Sequence, residues 1–283
     1  MSRLFNQAAK AFNASAADSF SESTVTELVT RIKDSSATTA DPSVLSLSSV
    51  RRIRFPNGSG LLISEHNSNT QLMEECYRGL RTRLMRLQAT TGRRSIVVTS
   101  ASEGDGKTLT TANLALCYAQ LPKTQVLLID ADLRNRGLSV LSDETSGVGL
   151  AEVLAGQATL AEAVVGTDIP RLYVVPAGQS SASPPELFAG TLWKQLLATC
   201  AASFTVILVD SPPIIPLPDF ELISAACDGC LMVVRALRTS RELLQTASRH
   251  LDAAKLQGVV FNGTDTVDGY GSYRRYLTSR SPR

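Results

Sequence analysis

The chain has 283 residues, 43% of them hydrophobic, enough for one large or two small globular domains with a real core. With 28 Lys and Arg against 26 Asp and Glu, the net charge of +2 gives no electrostatic case for nucleic acid as a partner, nor for an acidic-protein class. Five cysteines, of which Cys76, Cys117 and Cys200 fall in helix-like stretches, make no disulfide framework. The first residues lack a signal-peptide core, and no run approaches the roughly 18 apolar residues of a membrane span. The expectation is a cytoplasmic chain, peripheral at the inner face of a membrane only through a partner.

In chain order, residues 1–14 set Leu4, Phe5, Ala8, Ala9 and Phe12 at helical spacing, a short amphipathic helix. Residues 15–50 are rich in Ser, Thr, Ala and Asp and poor in large apolar side chains, the makeup of a disordered linker. From Asn69 to Leu87, Leu72, Met73, Cys76, Leu80, Leu84 and Leu87 recur every three or four residues, predicting an amphipathic helix over 69–88. Its other face carries Arg78, Arg81, Arg83 and Arg86. The stretch Arg78–Arg94 holds six arginines and no acid, a cluster suited to phosphate, anionic lipid, another subunit or plain solvent.

Beyond it, apolar runs alternate with helical stretches: SIVVTS, TQVLLID, RLYVVPAG, FTVILVD, CLMVV and LQGVVFN. Such alternation marks repeated βαβ units. Because the runs are apolar at nearly every position, they read as strands covered on both faces. The predicted fold is α/β, P-loop NTPase-like, with a mostly parallel central sheet flanked by helices on both faces, one domain over residues 51–265.

The first strong strand runs into SASEGDGKT and then an apolar-periodic helix. Strand, glycine-rich turn and helix in this order are the setting of a phosphate-binding loop. The loop residues Gly104, Asp105, Gly106, Lys107, Thr108 and Leu109 are the candidate nucleotide-binding set. Lys107 would reach the terminal phosphates of ATP, and Thr108 would bind Mg²⁺. The general template has a glycine where this chain has Ala101, so the loop is expected to be built differently there.

Two further strands end in acids: VLLIDADLR in Asp130 and Asp132, and VILVDSPP in Asp210. In a parallel sheet, strand C-termini gather on the edge that also carries the phosphate loop. Carboxylates there suit a hard cation and a base for a hydroxyl nucleophile.

Together these stretches resemble the bacterial tyrosine kinase (BY-kinase) family, cytoplasmic autokinases of capsule and exopolysaccharide export. SASEGDGKT is similar to its P-loop, LLIDADLR to its Walker A′ box and VILVDSPPIIPLPD to its Walker B segment. PAGQSSASPPELF and DGCLMVVR look like further family stretches, and ECYRGLR reproduces the E-x-x-R-x-x-R pattern through Glu75, Arg78 and Arg81. The resemblance covers residues 69–276. It implies catalytic roles for Lys107, Asp130 and Asp132, with the base left open between the two aspartates. It implies Mg²⁺ at Thr108, Asp132 and Asp210, and subunit packing into a homo-oligomeric ring through Glu75, Arg78 and Arg81. A membrane-anchored polysaccharide co-polymerase or adaptor, and a cognate tyrosine phosphatase, are the implied partners. Glu103 stands where the family usually has proline, and its charge weakens nucleotide binding unless it points to solvent.

Three of the six tyrosines, Tyr270, Tyr273 and Tyr276, lie in the last fourteen residues among Gly, Ser and Arg, with no apolar run to bury them. A flexible tail over 266–283, phosphorylated on these tyrosines, is the reading that uses them. The alternatives are an ATP-hydrolysing switch of the partition or septum-positioning type, and a non-catalytic nucleotide-binding scaffold. The first usually carries an extra lysine early in the loop, which SASEGDGK lacks. Cys227 and Cys230 form a lone C-x-x-C before a buried strand and read as structural; His66 and His250 accompany no nucleophile motif.

Overall fold

In a computed structural model of the chain, the structure describes residues 45, 47, 50–55, 61, 68–141, 147–216 and 218–264. The expectations for residues 1–14, most of 15–50, the tail over 266–283 with Tyr270, Tyr273 and Tyr276, and His66 lie outside the described residues. Leu45, Leu47 and Val50 pack against the core, so packed structure begins ahead of residue 51.

The elements follow one another as β1 (Arg52–Ile53), α1 (Ser68–Thr91), β2 (Ser95–Ser100), α2 (Lys107–Ala119), β3 (Val126–Asp130), α3 (Gly137–Leu141), α4 (Leu150–Leu154), α5 (Leu160–Ala163), β4 (Val165–Thr167), β5 (Leu172–Val175), α6 (Pro184–Ala189), α7 (Leu192–Ser203), β6 (Val206–Asp210), α8 (Asp219–Ala226), β7 (Gly229–Arg235), α9 (Arg241–Ser248) and β8 (Leu256–Asn262). The eight strands form one sheet in the order β1-β4-β5-β3-β6-β2-β7-β8. Every pairing is parallel except β4 with β5. The expected mostly parallel α/β sheet is therefore present, with all six predicted runs in it.

Alternation along the central strands divides the core into two layers. Ile96, Val98, Val126, Leu128, Val206 and Leu208 face one side, under Leu84 of α1 and Ala112, Ala115 and Leu116 of α2. Val97, Leu127, Ile129, Ile207 and Val209 face the other, under Leu154, Phe188, Trp193, Leu197 and Phe220 from α4 and α6–α8. Strands apolar at every position are what such a three-layer arrangement requires.

LQGVVFN departs from the prediction. Among the described residues it is the edge strand β8 and pairs only with β7, and while Val260 packs on the α1–α2 side, Val259 and Phe261 remain 46% and 66% exposed. Its apolar run is thus covered on one face only. The two strands not anticipated, β1 and β4, have two and three residues, too few to show a period.

Candidate active site

Strand order builds the site. β2 lies between β6 and β7, and β6 lies between β2 and β3, so the loops after β2, β6 and β3 emerge side by side from one edge of the sheet. Asp130 and Asp210 are register partners at the ends of β3 and β6. This is the crevice where open α/β sheets hold ligands.

The loop after β2 turns through two left-handed residues, Gly104 with φ 82° and Gly106 with φ 94°. A side chain on Gly106 would also meet the Asn262 carboxamide nitrogen. Ala101 is fully buried and is not among the residues of positive φ. The departure from the template therefore costs no backbone strain, because the turn is made three residues later. Gly106 is the N-cap of α2 and has no side-chain cap, which leaves the first N–H groups of that helix and its positive dipole end free for an anion.

Lys107 opens α2 with only 8% exposure, and its Nζ lies 3.0 Å from Asp132 Oδ2. Burial acts to lower its pKa, but the negative charges of Asp210, Asp132 and Asp130 outweigh that and raise it. The ammonium is charged and held by carboxylates. Leu109 packs its side chain into the α1–α2 core layer and can offer a ligand only its backbone. Glu103 is exposed, so its charge points to solvent. The acid that lies inside the loop is Asp105, fully buried.

The three strand-end aspartates are all buried, yet differ in their partners. Asp130 accepts the backbone N–H of Asp132 at 3.2 Å on Oδ1 and that of Leu138 at 3.1 Å on Oδ2. Burial and the neighbouring Asp210 still raise its pKa well above the usual carboxylate range. Asp132 takes Lys107, and also accepts the Asn135 N–H at 3.2 Å. Asp210 accepts the Thr111 hydroxyl on Oδ1 at 3.4 Å, while Oδ2 is buried with no partner of hydrogen-bond geometry. Burial pushes Asp210 up to about 7 against the pull of Lys107 and the Thr108 hydroxyl. A buried carboxylate oxygen without a donor costs free energy unless a ligand completes it.

These oxygens and the Thr108 hydroxyl are an all-oxygen set of the kind Mg²⁺ prefers. Among the described residues no three His, Cys, Asp or Glu side chains enclose a metal position. A closed protein cage is therefore absent there, and the set fits a cation that takes its remaining ligands from phosphate and water.

Two tethers of the site escaped the sequence reading. Arg134 grips buried Asp219 with two prongs, Nε–Oδ2 at 2.7 Å and Nη2–Oδ1 at 3.2 Å, tying the loop after β3 to the start of α8. Asp105 accepts the Thr239 hydroxyl at 3.0 Å. The arginine two positions after Asp132 was a readable signal; Thr239 offered none.

On α1, Arg78 pairs with Glu74 at 3.2 Å and with Glu75 one turn away. Both Glu75 and Arg78 remain partly exposed. Arg81 instead turns inward and donates to the Cys117 carbonyl of α2. The three residues of the E-x-x-R-x-x-R pattern thus split, because a long side chain at the edge of the buried stripe reaches the neighbouring helix. Cys227 and Cys230 are buried free thiols raised by burial, Cys230 to about 12. Thiols held protonated in this way are structural. His250 pairs with Glu221 at 2.7 Å on the surface, apart from this set.

Fold and site together define a P-loop nucleotide-binding α/β protein, and comparison with known proteins narrows the class. A family profile described as an AAA domain matches residues 93–248. The chain is 34% identical over 185 residues to the tyrosine-protein kinase CpsD of Streptococcus agalactiae, spanning 64% of this chain and 80% of that one. It is 32% identical over 194 residues to the tyrosine-protein kinase YwqD of Bacillus subtilis, spanning 68% and 81%. Among solved structures, the kinase domain of the Escherichia coli tyrosine kinase ETK superposes with a TM-score of 0.64 at 28% identity, over 70% of this chain and 80% of that one. The BceF tyrosine kinase domain gives 0.62 at 32% identity, over 67% and 77%. The chain belongs to the bacterial tyrosine kinase family, and its enzyme class is protein-tyrosine kinase.

Proposed function

We propose that this chain transfers the γ-phosphoryl group of ATP to tyrosine hydroxyls of its own tail, Tyr270, Tyr273 and Tyr276, in trans within a homo-oligomer. The observation that carries the reading is the convergence of Lys107, Thr108, Asp132 and the unpartnered Asp210 Oδ2 beside the free N-terminus of α2. Phosphoryl transfer asks a protein mainly to position groups and neutralise charge. The N–H groups of Gly104–Leu109 and the α2 dipole take the phosphates. Lys107 leaves Asp132 for the terminal phosphates and follows their charge as the bond to the leaving oxygen breaks. That movement frees Asp132 Oδ2 to face the tyrosine hydroxyl and take its proton. Asp130, both oxygens already engaged by backbone N–H groups, shapes the turn that presents Asp132. Thr108 and Asp210 are the groups that would hold Mg²⁺, with Asp132 beside them; when bound it offsets phosphate charge.

In the cell this activity sets the polymerisation and export of an exopolysaccharide or capsule. The helices among the described residues are too short or too polar to cross a membrane, and a membrane-anchored polysaccharide co-polymerase or adaptor recruits the chain to the inner face. The half-exposed Glu75–Arg78 pair on α1 is the candidate ring contact, and a cognate phosphatase resets the tail. The test mixes two chains, neither of which can phosphorylate its own tail: a Lys107→Met chain with its tail intact, and a chain with Tyr270, Tyr273 and Tyr276 all changed to Phe. Phosphotyrosine on the Lys107→Met copy is expected after Mg-ATP is added. Phosphotyrosine in the wild type but none in the mixture would overturn transfer in trans, and none in either would overturn the tail as substrate.

A further inference from the structure

Asp105 lies between the two left-handed glycines of the phosphate loop, and its carboxylate is fully buried. Oδ2 accepts the Ser102 N–H at 3.3 Å. Oδ1 accepts the Ser102 hydroxyl at 3.3 Å and the Thr239 hydroxyl at 3.0 Å. The Asp105 carbonyl accepts from Asn262 Nδ2 at 2.9 Å, at the end of β8. Thr239 belongs to the turn between β7 and α9, and its oxygen in turn accepts the Arg235 N–H at 3.1 Å. The hydroxyl is thereby fixed at both ends, with its proton directed at Asp105.

A buried negative charge inside a loop that binds polyphosphate opposes its own ligand. Its presence needs a compensating role, and the hydrogen bonds supply one. A carboxylate can accept all three donors at once, whereas a carboxamide would set its own N–H₂ against one of them. Left-handed glycines make a loop able to adopt the phosphate-binding turn, but also able to leave it.

We infer that Asp105 is a positioning residue, braced by Thr239 of the β7–α9 turn and by Asn262, that fixes the phosphate loop in its nucleotide-binding shape before nucleotide arrives. The inference rests on the reading of this loop as the ATP site. It implies that Thr239, remote in sequence, sets nucleotide affinity through the shape of the loop.

The experiment titrates Mg-ADP into the full chain and its variants by calorimetry, at a temperature where each is folded, and follows transfer kinetics alongside. Thr239→Val keeps shape and charge but loses the donor, and is expected to raise the Kd for Mg-ADP and the KM for ATP about tenfold, with kcat within about twofold of wild type. Thr239→Ser is expected to restore both. Asp105→Asn separates the brace from simple charge: the brace requires weaker Mg-ADP binding, whereas relief of repulsion would make it tighter. Exposed Glu103→Gln is expected to shift affinity by less than about twofold. Wild-type affinity in Thr239→Val, or tighter binding in Asp105→Asn, would overturn the inference while leaving the ATP reading standing. A wild-type chain that binds no Mg-ADP would overturn the ATP reading, and the brace with it.

Discussion

Asp130 and Asp210 stand directly opposite each other at the ends of neighbouring strands, equally buried, yet their oxygens have different partners. The loop after β3 folds back to give Asp130 two backbone N–H donors. The segment after β6 runs on through two prolines and leaves Asp210 Oδ2 without a partner. The difference is one of satisfied and unsatisfied acceptors: a carboxylate whose acceptors are used holds its own loop, and one with an open acceptor is destabilising until something binds it.

The largest effect expected is on chemistry. Lys107→Met removes the cation that the carboxylates hold and that the phosphates require, and should lower the transfer rate by about 10²–10³-fold with the fold retained, as circular dichroism would report. Next come the paired substitutions that test the comparison itself. Asp130→Asn sets a carboxamide N–H₂ against a backbone N–H and should cost about 1–3 kcal/mol, a fall in Tm of about 2–10 °C. Asp210→Asn replaces a buried carboxyl oxygen that has no hydrogen-bond donor and should raise the Tm of the nucleotide-free protein by about 2–4 °C while lowering transfer less than Lys107→Met does. Melting curves that move in the same direction for both would break the distinction.

Smaller effects sharpen it. Arg134→Lys keeps the charge but loses the two-pronged grip on Asp219, and should lower turnover about 3–10-fold with a Tm shift below about 3 °C. The pH dependence of nucleotide-free protein in chelator is the finest test. Asp210 has a folded pKa of about 7 against an ordinary 3.8, so the native state binds the extra proton and stability falls as pH rises through that window. Asp130 acts with the same sign. The lowered pKa values of Asp228 and Glu162 act below their ordinary 3.8 and 4.5, outside it. The Tm should therefore decline from about pH 5 to about pH 8, and Asp210→Asn should reduce the slope.

What the sequence made legible was local. Lys107, Asp130, Asp132 and Asp210 could be placed together because each ends or follows an apolar strand, and parallel pairing brings such ends to one edge. The runs buried on both faces were equally readable, and LQGVVFN misled because composition does not say which strand becomes the edge. What stayed hidden depends on distant pairing: Arg134 with Asp219 across 85 positions, and Asp105 with Thr239 across 134. The E-x-x-R-x-x-R spacing was visible, but the inward turn of Arg81 depends on where α2 packs, which no helical period reveals.

The account is tested most directly by counting products in one reaction. Purified wild-type chain is mixed with labelled Mg-ATP, and ADP and phosphotyrosine are measured together from the earliest time points. A kinase acting on its own tail predicts phosphotyrosine on Tyr270, Tyr273 or Tyr276 rising in step with ADP, and neither product in Lys107→Met. ADP accumulating with free phosphate and no phosphotyrosine would contradict it and return the chain to the nucleotide-hydrolysing switches.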